Sequence, residues 1–445
     1  MITWKLKLIR GMVCAICICF MIPAFAAAEQ TAAKPYTEPV FKYTKVENFS
    51  GGLARVATGA YPNYKWGYID TSGKEVIPVK YSELGEFSEG LAAAGTGYGN
   101  NCKMGYIDKT GKVVIPFTYS FASKFSEGLA SVRVGAFPNG KTGYINKAGK
   151  IVIKPKYMYA WEFKNGVAVI ELNEKSGLLD KSGKEIVPFK YDYISPFTDG
   201  LAAVSINFKH GFINEKGVEV VPLKYTNMRE FSEGLAAVAT GNFPNYKWGY
   251  IDVKGKEVIN PQYTEAQPFY NGYASVSRAT NTGAKSGYID PSGKVVIPLE
   301  YTQVMGFSEG MARVRDGSDQ GFVNEKGEMV IPAAFYHAMD FSDGLASVAL
   351  QYPSRGWGFI NKQGETVIPG QYDFASSFHE GIAFVSLNNK HGYINTKGEV
   401  LVPFKYTNAY DVEEGMAWVE SNDKWGVIDL RAYTAAPDAG KTGKQ

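Results

Sequence analysis

A phrase of 34 to 38 residues recurs eleven times between Pro39 and Leu430. It runs Phe-Ser-Glu-Gly-Leu-Ala-x-Val, a loop, Lys-Trp-Gly-Tyr-Ile-Asp, a turn ending in Gly-Lys, then Val-Ile-Pro and a Tyr. Its Phe falls at Phe49, Phe87, Phe125, Phe163, Phe197, Phe231, Phe269, Phe307, Phe341 and Phe378, with Val412 in the eleventh copy. A fixed period in this range means one small unit stacked on copies of itself, none of which buries its apolar side alone.

Comparing the copies shows what each unit requires. The Gly before Leu-Ala, the Ala after it and the Gly of Trp-Gly occur in all eleven, and the turn Gly and the following Pro in all ten complete copies. These are backbone and packing residues, placed where a chain turns or another chain comes close. Asp70-Thr71-Ser72-Gly73-Lys74 reads as a hairpin loop. Its flanks are rich in aromatic and β-branched residues, as strands prefer. The reading is therefore three short antiparallel strands per unit, Leu53–Val56, Trp66–Asp70 and Glu75–Ile77, with Pro78 ending the third. The segment from Tyr81 to Phe87 then crosses to the next unit, its rings serving as apolar mortar. The Trp slot varies (Trp66, Met104, Thr142, Ser176, His210, Trp248, Ser286, Gln320, Trp357, His391, Trp425), so it is expected to be half exposed.

The array begins and ends in mid-unit. Pro39 to Tyr43 resembles the end of a copy, and Lys424 to Asp429 is a second strand with no hairpin after it. Split ends suit a ring closed by its termini, and equally an open stack. Closed propellers generally have 4–8 blades of four strands, which eleven three-stranded copies fit poorly. The expected fold class is all-β: a tandem array of about eleven three-stranded antiparallel units forming an open, twisted solenoid or superhelix. The alternative is a closed propeller-like ring, or two rings.

Residues 1–26 read as a secretory signal: Lys5, Lys7 and Arg10, an apolar run from Gly11 to Ile22, then Ala24-Phe25-Ala26, with cleavage after Ala26 or Ala28. Residues 27–38 read as a linker, 39–430 as the array and 431–445 as a disordered tail. The expected location is thus outside the cytoplasm: extracellular, cell-surface or periplasmic. The whole chain has 47 basic and 44 acidic residues. The first 26 hold three basic and no acidic ones, so the remainder balances at 44 against 44. A neutral chain has no electrostatic footprint for nucleic acid, and no second apolar run is long enough to span a membrane. Only Cys102 survives signal removal, so no internal disulfide is expected.

Motifs for chemistry are few. Gly135-Ala136-Phe137-Pro138-Asn139-Gly140-Lys141-Thr142 matches the phosphate-loop pattern, but a strand is expected after it where that pattern needs a helix. Asp70, Asp108, Asp180, Asp252 and Asp290 each offer one carboxylate to a turn, too few for calcium, and the acids before Gly (Glu89, Glu127, Glu233, Glu309, Glu380) read as solvated turn residues. His210, His337, His379 and His391 have no metal-ligand spacing. No metal or other cofactor is implied, no copy carries an acid/base pair that the others lack, and an enzyme is not expected.

The best functional signal is aromatic. Loop length varies only between the first and second of the three strands, and loops confined to one face often bind. These loops carry Tyr61, Tyr64, Phe137, Phe243, Tyr246 and Tyr352, beside Trp66, Trp248 and Trp357. Such rings anchor protein partners or stack on sugars.

Lys65-Trp66-Gly67, Lys247-Trp248-Gly249 and Lys424-Trp425-Gly426, inside units of this pattern, resemble the bacterial WG (KWG) repeat family over roughly residues 39–430. Several copies depart at the Trp. The resemblance implies a β-repeat protein of bacteria, often exported, with no established catalytic activity and no catalytic residues to carry over. The expected function is an exported, non-enzymatic binding scaffold that engages a protein through its loop face. The alternative is a carbohydrate or cell-wall binding module. The partner is an unknown protein or a cell-surface glycan, and the oligomeric state is open.

Overall fold

A computed structural model describes residues 36–349 and 356–434. The expected signal, most of the linker, Tyr352 and residues 435–445 of the tail lie outside that range. The described residues are strands and turns, with a single 3-10 turn at Gly99–Asn101. They form eleven small antiparallel sheets, each a meander in chain order.

Each sheet, or blade, holds one more strand than the sequence reading allowed. In blade 1 the strands are Lys45–Val46, Leu53–Thr58, Lys65–Asp70 and Glu75–Tyr81. The crossing segment supplies the added two-residue strand, in which Val46 pairs with Val56. Pro78 does not end the last strand but lies within it. Trp66 pairs with Tyr81 and Tyr68 with Ile77, so Gly67 alone faces the bulge formed by Pro78, Val79 and Lys80. A bulge leaves residues out of the hydrogen-bond ladder, which is where a residue without an N–H is tolerated. The bulge presses on Gly67: a Cβ there would lie 2.5 Å from the Ile77 carbonyl oxygen and 2.8 Å from the Val79 Cα. The glycine of Trp-Gly is therefore fixed by close approach of backbone.

Blades pack face to face, and the two faces differ. Between blades 5 and 6, Leu201, Phe212, Val221 and Tyr225 meet Phe231, Ala236, Val238 and Ile251. Large side chains of one blade thus lie on the small Ala-x-Val face of the next, and eleven such clusters make up the core. The rings act as the expected mortar: Tyr106 lies 4.8 Å from Phe125 and Tyr250 4.9 Å from Phe269. In six blades the Tyr hydroxyl of the third strand also donates to a carbonyl two residues before the next blade's Phe, or before Val412 in the case of Tyr393, as Tyr106 does to Ser123 at 2.7 Å.

The repeated acid does more than cap a solvated turn. The Glu89 carboxylate accepts from the Gly128 amide of the next blade, Glu127 from Gly166, Glu233 from Gly272 and Glu380 from Gly415. It is a clasp between blades. Its partner stands 35–39 residues away, which is why one copy read alone does not reveal it. Lys147 lies 2.8 Å from Glu89 and Lys181 2.9 Å from Glu127. These lysines, followed by the glycine amides, hold both carboxyls below their ordinary value of 4.5. In the hairpins, Ser or Thr hydroxyls lower Asp70, Asp108, Asp180 and Asp290 in the same direction. A carboxyl with a depressed folded pKa stabilises the fold fully above its unfolded pKa. That stabilisation is lost as pH falls through the folded value. Denaturant titrations from about pH 5 to about pH 3 should show stability declining, and Glu89→Gln with Glu127→Gln should make the decline shallower. An unchanged slope would mean that the clasps carry no stability.

The chain closes into one ring of eleven blades. This is the second arrangement the sequence allowed, in place of the open array it favoured. Blade 11 has three strands of its own, Asn408–Ala409, Met416–Ser421 and Lys424–Asp429. The segment ending at Tyr43 completes it: the Tyr43 and Lys42 amides donate to the Trp425 carbonyl at 3.3 and 3.1 Å, and the Trp425 amide donates to the Tyr43 carbonyl at 2.8 Å. Pro39 and Val40 crowd Gly426 as the bulge crowds Gly67 elsewhere. Glu414 clasps the amides of Gly51 and Gly52 at 2.8 and 2.9 Å. The seam also carries a substitution of its own. Val427 stands where most blades have Tyr or Phe, and its cross-strand partner is Trp418. Trp418 stacks on Phe49 at 5.7 Å and donates its indole N–H to the Glu47 carbonyl at 3.1 Å. Glu47 precedes Phe49 by two residues, so the indole takes over both the ring contact and the hydrogen bond of the missing tyrosine.

Candidate functional site

The long second-to-third-strand loops expose part of the expected aromatic set. Tyr61 is 84% and Phe243 81% exposed, and Phe137 is also exposed. Tyr64 and Tyr246 fold back instead, edge-on to Trp66 and Trp248 at 6.1 and 6.2 Å. Tyr61 and Phe243 belong to blades 1 and 6, nearly opposite in a ring of eleven, so the rings share a side without gathering into one patch.

The Trp slot is more buried than expected. Trp248, Trp425, Thr142, Ser176, Ser286 and Gln320 are buried, while Trp66, Trp357, Met104, His210 and His391 are half-buried. Two of the polar occupants find partners: Gln320 accepts from the Ala338 amide at 2.9 Å, and Ser286 bonds Ser277 at 2.8 Å. Trp occupants are covered, Trp248 by the Arg229 guanidinium at 5.2 Å and Trp357 by Phe374 at 5.4 Å. Burial lowers the pKa of the His210 and His391 imidazoles, disfavouring their charged form. The phosphate-loop match runs into the strand Lys141–Asn146, which provides no helix N-terminus. No cluster of three His, Cys, Asp or Glu able to hold a metal occurs among the described residues.

The specialised place lies elsewhere. A cleft of about 590 Å³ opens across blades 3, 4 and 5. Phe121, Tyr159, Trp161 and Tyr193 line it, each between 39% and 51% exposed. Phe121, Tyr159 and Tyr193 are the first residues of the two-residue strands Phe121–Ala122, Tyr159–Ala160 and Tyr193–Ile194. In blades 1, 2, 6, 7, 8 and 11 that position holds Lys45, Glu83, Asn227, Glu265, Gln303 and Asn408, and in blades 9 and 10 it holds His337 and Phe374, both packed on Trp357. An exposed edge position is ordinarily polar, so three successive rings there stand apart. Reading down this column would have found them. The sequence reading followed the Trp column and the loops instead.

The polar lining is sparse and specific. Arg133 lies beneath three rings, 5.3 Å from the centroid of Tyr159, 5.8 Å from Phe137 and 5.9 Å from Phe121. It donates to the Met158 carbonyl at 3.1 Å and the Thr142 hydroxyl at 3.4 Å. Arg55 and Arg313, by contrast, pair with Glu47 and Asp340. Lys164 takes the place of the usual Ser and donates to the Phe197 carbonyl at 2.9 Å. Glu162, also in the lining, is engaged by Lys124 at 3.6 Å. Ser131 Oγ is buried in the cleft wall without a hydrogen-bond partner. A concave, mostly apolar cleft with a few polar groups is the usual form of a ligand site. Of the residues expected from sequence, only Phe137 adjoins it.

Fold and cleft define a closed, eleven-bladed β-propeller with a differentiated groove across blades 3 to 5. The "WG containing repeat" family model matches ten stretches, 66–97, 104–136, 143–175, 177–209, 211–242, 248–278, 287–318, 321–350, 357–390 and 392–425. Together these make up more than half of the sequence, and the chain belongs to this family. No curated protein matches it. Among solved structures it is similar to a eukaryotic initiation factor, at 11% identity and a TM-score of 0.36, covering 70% of this chain and 94% of that one. A tricorn protease matches at 11% identity and 0.26, over 87% of this chain and 52% of that one. An acylaminoacyl peptidase of Pyrococcus horikoshii matches at 10% and 0.28, over 64% and 57%. Likenesses this weak carry no functional argument.

Proposed function

We propose that the protein is an exported, non-enzymatic binding scaffold whose ring holds a ligand in the cleft of blades 3 to 5. The observation that carries this reading is the run of Phe121, Tyr159, Trp161 and Tyr193, exposed in three successive blades at an edge that is polar in most of the others. Export rests on the charged and apolar pattern of residues 1–26. A second reading, a protein partner on the loop face, is supported by the exposure of Tyr61, Phe137 and Phe243. The test is a binding screen of the full chain against acidic and neutral oligosaccharides and against acidic and proline-rich peptides, repeated with Tyr159→Ala plus Trp161→Ala and with Tyr61→Ala plus Phe243→Ala. The cleft reading expects a ligand that is lost with the first pair, kept with the second, and recovered chemically unchanged by mass spectrometry. Turnover of the ligand would overturn the non-enzymatic reading. Binding indifferent to the first pair and lost with the second would move the site to the loops.

A further inference from the structure

We propose that the ligand of this cleft is an acidic oligosaccharide, with sugar rings lying on the aromatic ladder and a carboxylate received by Arg133. The assignment rests on the reading of the cleft as the binding site and names what fills it.

Two features carry it. Phe121, Tyr159 and Tyr193 occupy one position in successive stacked sheets, and packed sheets lie about 10 Å apart. The rings therefore recur at a regular step, which suits a chain of repeating flat units better than a compact metabolite. An aromatic face is electron-rich, and the polarised C–H face of a sugar ring is its complement. Next, Arg133 meets no carboxylate among the described residues, only a carbonyl, a hydroxyl and three rings. Arg has five N–H donors in a planar fork, and Nε and Nη2 each use one here. The remaining donors, chiefly on Nη1, are free for the strong charge-assisted bonds that a carboxylate accepts. With Lys164 also in the lining and Glu162 held by Lys124, the lining is left cationic. An extended peptide adding to a sheet edge needs a continuous strand to pair with, and the edge strands here are two residues long.

Calorimetric titration of the full chain tests this with three probes: a galacturonic acid hexamer, its carboxyl-reduced neutral counterpart, and an acidic proline-rich peptide of equal charge. The acidic hexamer should bind, and Arg133→Gln should weaken it by about tenfold, the loss of one charge-assisted contact. Arg133→Lys should retain part of the affinity. Arg315→Gln, at the same strand position in blade 8, should leave it unchanged. The neutral hexamer should bind wild type about as weakly as the acidic one binds Arg133→Gln, and Trp161→Ala should weaken both. Circular dichroism melts establish that each variant is folded. Equal binding of the two hexamers, or indifference to both Arg133 variants, would overturn the acidic-glycan assignment. Peptide binding that needs Trp161, with no hexamer binding, would overturn the glycan and leave the cleft as the site. A hexamer whose binding ignores Trp161 would overturn both.

Discussion

A variant lacking residues 36–43 is expected to lose the closed ring. That segment completes blade 11, and without it the Trp425 amide and carbonyl lose their partners and the face beside Gly426 is uncovered. Tyr43, 5% exposed, leaves the cluster at the seam. Removing one buried aromatic side chain costs about 3–5 kcal/mol. An unpaired edge also recruits other chains. The thermal midpoint should fall, and size-exclusion chromatography should show concentration-dependent association. A monomer melting with wild type would sink the closure account. Trp418→Val is the milder form of the same test. It removes the indole from Phe49 and from the Glu47 carbonyl, with an expected loss of about 3 kcal/mol. Adding Val427→Tyr should recover part of that loss, because it rebuilds the ring and hydroxyl found at six of the other seams.

The second large effect separates two kinds of glycine within one blade. At Gly249 a Cβ would lie 2.3 Å from the Ile259 carbonyl oxygen and 2.6 Å from the Pro261 nitrogen. Both are backbone, so Gly249→Ala must push two paired strands apart, at a cost of about 3 kcal/mol or more. At Gly234 the φ is +78° and nothing lies within 4 Å. Gly234→Ala therefore meets only the left-handed backbone penalty, about 1–2 kcal/mol. Hydrogen exchange should show the amides of Leu235–Thr240 and Lys247–Asp252 deprotected far more by the first substitution than by the second. Equal effects would mean that the bulge does not press on the glycine.

Much of this architecture could be read from the chain. The strands, the hairpins, the inter-blade rings and the likeness of Pro39–Tyr43 to a unit end all follow from pattern. Whether the stack closes does not, because the turn from one blade to the next depends on how Leu201, Phe212 and Tyr225 settle on Ala236 and Val238. The Trp slot misled for a related reason. Gln320 and Trp248 look incompatible as letters, yet each is buried with a partner that a different strand or a neighbouring arginine supplies. The Glu89 clasp reaches into the next copy, beyond the horizon of a motif. The cleft was legible in Phe121, Tyr159 and Tyr193, but only along a column with no famous residue in it.

Joining the start of the propeller to its last blade has a kinetic consequence. Chains emerge N-terminus first, so the earliest-made strand must wait until every other blade exists before it finds its place. Until then each molecule is an arc with two adhesive ends, which can join to each other or to those of a neighbour. Correct assembly therefore depends on keeping nascent copies apart until synthesis is complete.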